Sequence, residues 1–122
     1  MANDFKRFVK KDIGTGEGAS GSTVYTVPSS SSTAMESIVI GITIANKSTS
    51  GITGDVFLDA LGGASDEVYI VKDASIPAGS SLEVMSGNKL VLQGDGTNND
   101  ILKMTSSTAS AADGIVSVLE DV

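Results

Sequence analysis

Ser37-Ile38-Val39-Ile40-Gly41-Ile42-Thr43-Ile44-Ala45 is the stretch that decides the fold. Four isoleucines recur at every second position, alternating with Val39, Gly41, Thr43 and Ala45. A strand turns successive side chains to opposite faces, so this period places all four isoleucines on one face. A helix would scatter them around its axis. The other face is small and mildly apolar, suited to meeting another subunit or an extended arm.

Outward from this strand the same pattern recurs in short pieces. Ser22–Val27, Gly54–Ala60, Glu67–Lys72, Ser81–Met85, Lys89–Gln93, Ile101–Thr105 and Gly114–Glu120 each carry alternating β-branched or other apolar residues, and Phe5–Val9 adds one more. Turn signals separate them. Ser29–Thr33 is a polar linker, and Lys47–Gly51 has the length of a loop between hairpin partners. Leu61–Asp66 supplies glycines for a hairpin, and Gly87-Asn88 a turn between Met85 and Lys89. In Ile76-Pro77-Ala78-Gly79 the proline presets φ at the second turn position. Ser106–Asp113 is too short and too poorly capped for a helix and reads as a loop. Eight or nine short strands at this spacing predict an all-β fold. The expected form is an antiparallel β-sandwich of jelly-roll or immunoglobulin-like type, or a small barrel.

The chain has 122 residues and 12.3 kDa, enough for one domain with its own hydrophobic core. Residues 1–21 read as a basic N-terminal arm with a Gly/Ser-rich loop, and residues 22–122 as the sandwich. No apolar run approaches the about 20 residues of a spanning helix, and no secretory h-region follows the first basic residues. A soluble protein made in a cytoplasm, with no membrane partner, is the expectation.

Charge is divided unevenly. Lys6, Arg7, Lys10 and Lys11 stand against Asp4 in the first 11 residues, a net of +3. The remainder carries four lysines against 14 acids, a net of -10, and the whole chain -7. Such a body repels phosphate, which argues against nucleic acid as a partner. A basic arm on an acidic body points to docking on an acidic protein surface, with Phe5, Lys6, Arg7, Phe8, Lys10 and Lys11 as the interface residues. Lysines on an edge strand also discourage aggregation, a plainer use for the same charges.

Catalytic and cofactor chemistry finds little to stand on. There is no cysteine and no histidine, so disulfides, thiolate ligands and Ser-His pairs are excluded. Gly14-Thr15-Gly16-Glu17-Gly18 lacks the Gly-Lys-Ser/Thr ending of a phosphate loop, and no helix pattern follows it. Asp66 and Glu67 sit in an expected hairpin, not a cleft. Asp95, Asn98, Asn99 and Asp100 offer oxygen ligands of the kind calcium takes. Their spacing fails the EF-hand pattern, and Asn, Asp and Gly are equally what an exposed turn needs. The expectation is no enzyme, no cofactor and no metal centre.

Several segments together carry a resemblance. They are Met1–Phe8, Thr23–Pro28, Ile38–Asn46, Val68–Asp73, Ile76–Glu83, Gly87–Lys89 and Val116–Glu120. The chain resembles small virion structural proteins of tailed bacteriophages, especially marine ones infecting cyanobacteria. It departs from them in a longer loop at Gly94–Asp100 and in inserted Gly/Ser residues at Gly14–Gly21. The resemblance implies a non-enzymatic, many-copy component of the virion, assembled in the host cytoplasm. The first expectation is a capsid decoration (cement) protein, a homotrimer on the head shell whose arm contacts the major capsid protein. A tail, collar or fibre-associated protein, contacting tail or neck proteins, is the second. A host-surface or glycan-binding module using Tyr25 or Tyr69 is the third, disfavoured by the few aromatic residues.

Overall fold

The computed structural model describes residues 3–16, 21–28, 35–60, 67–84, 89–95 and 97–121. It contains nine strands: β1 (Asn3–Lys10), β2 (Ser22–Thr26), β3 (Met35–Asn46), β4 (Ile52–Asp59), β5 (Glu67–Ile76), β6 (Ser81–Glu83), β7 (Leu90–Gly94), β8 (Ile101–Ser106) and β9 (Ala112–Asp121). All pairings are antiparallel, in two sheets. One has the order β1-β9-β3-β6, with β7 also on β3; the other has the order β2-β8-β4-β5.

β6 lies against residues 43–45 of β3 and β7 against residues 35–39. The two short strands run in line and occupy one strand position. Counted that way, the first strand pairs with the last, the second with the next to last, the third with the sixth and the fourth with the fifth. This nested pairing is the order of a jelly roll. An immunoglobulin sandwich divides its strands into ABED and CFG sheets instead. Nesting makes most connections cross from one sheet to the other. Lys47–Gly51 therefore joins β3 to β4 in the opposite sheet, and the expected hairpin there does not form. β4 and β5 do pair, but the turn expected at Leu61–Asp66 falls outside the described residues, as do the Ser29–Thr33 linker and Gly87-Asn88.

The isoleucine strand departs from its expected form in one respect. β3 shifts register against β9 between Val39 and Gly41, a β-bulge at Ile40. An extra residue reverses the alternation beyond it. Before the bulge Ser37 and Val39 are buried; after it Ile42, Ile44 and Asn46 are. Ile42 and Ile44 enter the core, whereas Ile38 is half-buried and Ile40 largely outside. The four isoleucines therefore do not share a face. The gap between β6 and β7 lies opposite the same point, with Val84 N–H bonded to the Ile42 carbonyl.

Between the sheets lie Ile13, Val24, Tyr25, Val27, Val39, Ile42, Ile44, Val56, Leu92, Leu102, Met104, Val116 and Val118. Gly114 faces this core at a point where a Cβ would stand 2.4 Å from the Met104 sulfur. The Pro77 turn sits one residue later than expected. Ser80 N–H bonds to the Pro77 carbonyl, making Pro77 the first residue and Gly79, with φ of 69°, the third. Glycine takes that left-handed position without a Cβ penalty, which fixes the phase of the turn.

Candidate interaction surface

The basic N-terminal segment is, over Asn3–Lys10, the edge strand of the five-stranded sheet. It pairs with β9 residue for residue from Asn3 opposite Asp121 to Lys10 opposite Gly114. Phe8 turns inward and packs its ring on Tyr25, centroids 4.6 Å apart. Lys6 lies on the same side, its ammonium 2.9 Å from the Glu120 carboxylate. Phe5, Arg7 and Val9 point outward, with Phe5 77% and Val9 63% exposed. Lys10 is half-buried and Lys11 exposed. The six interface candidates are thus split between the two faces of one strand. The acidic surface that receives the basic segment includes the chain's own β9.

Lys6 takes part in a buried network. Glu120 is 2% exposed and accepts a hydrogen bond from the Tyr25 hydroxyl at 2.6 Å. The Tyr25 oxygen is also 2.6 Å from the Ser37 hydroxyl. Burial first, and then the neighbouring Glu120 carboxylate, push the Tyr25 phenol well above its usual range. The Glu120 hydrogen bond raises the Lys6 ammonium in turn. A buried carboxylate is tolerable only with such partners. Because Tyr25 belongs to the four-stranded sheet and Glu120 and Ser37 to the other, the network ties the two sheets together. Tyr25 is therefore unavailable for sugar stacking. Tyr69 remains partly exposed, with the Lys72 ammonium 4.7 Å from its ring centre.

The outward side of the five-stranded sheet carries one apolar row across its width. Phe5 pairs with Leu119, Leu119 with Ile38, and Ile38 with Val91, one residue from each strand position. A second row runs Val9, Ile115, Thr43 and Glu83. Five of the seven exposed large hydrophobic residues, Phe5, Val9, Ile40, Val91 and Ile115, belong to this sheet.

Two of the calcium candidates, Asp95 and Asp100, accept backbone N–H groups. Asp95 accepts the backbone N–H groups of Thr97 and Asn98 at 2.9 and 2.7 Å, which hold its carboxyl below the usual range. Asp100 is buried and accepts the Gln93 N–H at 2.8 Å. Asn98 is exposed, its carbonyl accepting the Asp95 N–H. The carboxylates shape the β7–β8 turn, and no cluster of three acidic metal-ligating side chains occurs among the described residues. A polar hollow of about 160 Å³ lies at Thr15, Thr53, Asp55, Asp73 and Thr105–Ser107. Asp55 there accepts the Asp73 N–H at 2.6 Å, and the Thr105 hydroxyl donates to the Gly14 carbonyl at 3.1 Å. These contacts hold a bulge and a crossing chain. On the outward side of the four-stranded sheet, Lys103 and Asp59 form a buried ion pair at 3.4 Å that the sequence pattern did not disclose.

The two antiparallel sheets, with their nested strand order, define a small jelly-roll domain. Comparison with known proteins returns no match to a family model, a curated protein or a solved structure.

Proposed function

We propose that this chain is a structural protein of a bacteriophage particle, a capsid decoration protein present in many copies on the head shell. The observation that carries this reading is the edge formed by β1. It is eight residues long, it pairs only with β9 among the described residues, and it bears Lys6, Arg7 and Lys10 with Lys11 just beyond. An edge strand offers backbone N–H and C=O groups to an added strand, and its cations favour an acidic partner segment. The resemblance to phage virion proteins supplies the particle. Individually weak contacts repeated over a shell sum through multivalency, so no active site is needed.

The test is co-sedimentation of the purified chain with shells lacking it. Saturable binding is expected, at hundreds of copies per shell by quantitative mass spectrometry. Lys10→Glu/Lys11→Glu should weaken it at least tenfold while the far-ultraviolet spectrum stays unchanged. Copy numbers of three to twelve per virion would instead place the protein in the tail or collar. Its absence from purified virions would end the virion reading altogether.

A further inference from the structure

Lys103 on β8 stands opposite Phe57 on β4, and Asp59 lies two residues further along β4 on the same side of the four-stranded sheet. The Lys103 ammonium is 3.4 Å from the Asp59 carboxylate, and the two side chains are only 7% and 6% exposed. We propose that this buried pair condenses to an amide, a side-chain bond that ties β4 to β8, the two middle strands of their sheet.

Three observations carry this. The first is proximity. A nitrogen held 3.4 Å from a carboxylate oxygen has the carboxyl carbon within reach, and fixed neighbours of this kind react as if at very high concentration. The second is poor compensation. Among the described residues Asp59 is the only acidic partner of Lys103, and the Asp59 Oδ1 has no hydrogen-bond partner. Two ions withdrawn from water with so few partners recover little of their hydration. A neutral amide removes both charges from the interior.

The third is a proton carrier. Glu67 stands directly opposite Asp59 across the β4–β5 pairing, and its buried Oε2 is likewise without a hydrogen-bond partner. Phe57 is fully buried beside the pair and packs on Tyr69, ring centres 5.2 Å apart, which keeps water from this side. The step balances without a further reagent. Glu67 takes one proton from the Lys103 ammonium and passes it to an Asp59 oxygen. The freed Nζ lone pair forms the bond to the Asp59 carboxyl carbon. A second Nζ proton follows through Glu67 to the same oxygen, the C–O bond breaks, and water leaves. Glu67 ends as it began.

Intact-mass measurement of the purified full chain tests this. The 12.3 kDa protein should be about 18 Da lighter than its sequence, the mass of one water. Trypsin does not cut after an acylated lysine, so the digest should contain a branched peptide with residues 48–72 joined to residues 90–122. Lys103→Arg should show the full sequence mass, and Glu67→Gln should leave most of the chain unlinked, both with an unchanged far-ultraviolet spectrum. Asp95-Gly96 and Asp113-Gly114 can also lose water, as succinimides, but would leave the two peptides separate. An unaltered chain of full mass, a water loss without the branched peptide, or complete linkage in Glu67→Gln would each overturn the proposal.

Discussion

Tyr25 shows how much one side chain settles in this molecule. Its ring packs on Phe8 and its hydroxyl donates to Glu120, a buried carboxylate that also holds Lys6. Removing the hydroxyl leaves that carboxylate short of a donor. Tyr25→Phe should therefore cost about 1–3 kcal/mol in urea unfolding, the usual penalty for orphaning a buried polar group. The raised phenol also sets an alkaline limit. A group whose folded pKa lies above its unfolded value stabilises the fold fully below the unfolded value, near 10 for tyrosine, and that stability drains away as pH climbs beyond it. In a Tyr69→Phe background, phenolate absorbance should appear only together with loss of the folded circular-dichroism signal.

The acid side runs the other way. Asp113 is held low, first by the Asp12 N–H and then by the Lys47 ammonium. Its contribution is present above the ordinary carboxylate range and lost as pH falls through it. Asp113→Asn should flatten the decline in thermal midpoint between pH 5 and pH 2. None of these partnerships was legible in the sequence. Tyr25 and Glu120 are 95 positions apart, and a phenol in an alternating run looks the same whether its hydroxyl meets water or a carboxylate.

At the scale of the element, β3 is both the clearest sequence signal and the place where that signal misled. Alternation identified the strand, but it cannot register an inserted residue, and the bulge at Ile40 exchanges the two faces halfway along. The consequence is measurable. Ile42→Ala should lose about 2–5 kcal/mol by emptying a core site, whereas Ile40→Ala should change unfolding by less than about 1 kcal/mol. Equal losses would mean that the isoleucines share a face after all. β9 carries a second such constraint, because its inward Gly114 leaves no room for a side chain. Gly114→Ala should cost about 1–3 kcal/mol through overpacking against Met104 and Ile13, read in the same unfolding experiment.

For the whole molecule, the all-β class and the strand number follow from local pattern, since the strands carry their own alternation and most turns a glycine, proline or asparagine, the Ser107–Ala111 turn between β8 and β9 being an exception. Strand order is a different kind of information. β1 finds β9, and β2 finds β8, through shape and charge that exist only once the sheets assemble. The basic segment illustrates this. Its charge excess was plain in the sequence, but its place along β9, with Lys6 against Glu120, depends on a partner at the far end of the chain.

That nesting also has a consequence in time. Asn3 to Lys10 emerge from the ribosome more than 100 residues before the strand they pair with. β1 must wait through the synthesis of everything between them, its Phe5 and Val9 uncovered and its charged residues a guard against wrong partners. The nested order therefore makes folding late and slow, on the millisecond-to-second scale of folds dominated by distant contacts. A chain stopped at Ala111, before β9, should have no cooperative unfolding transition although eight of the nine strand sequences are present.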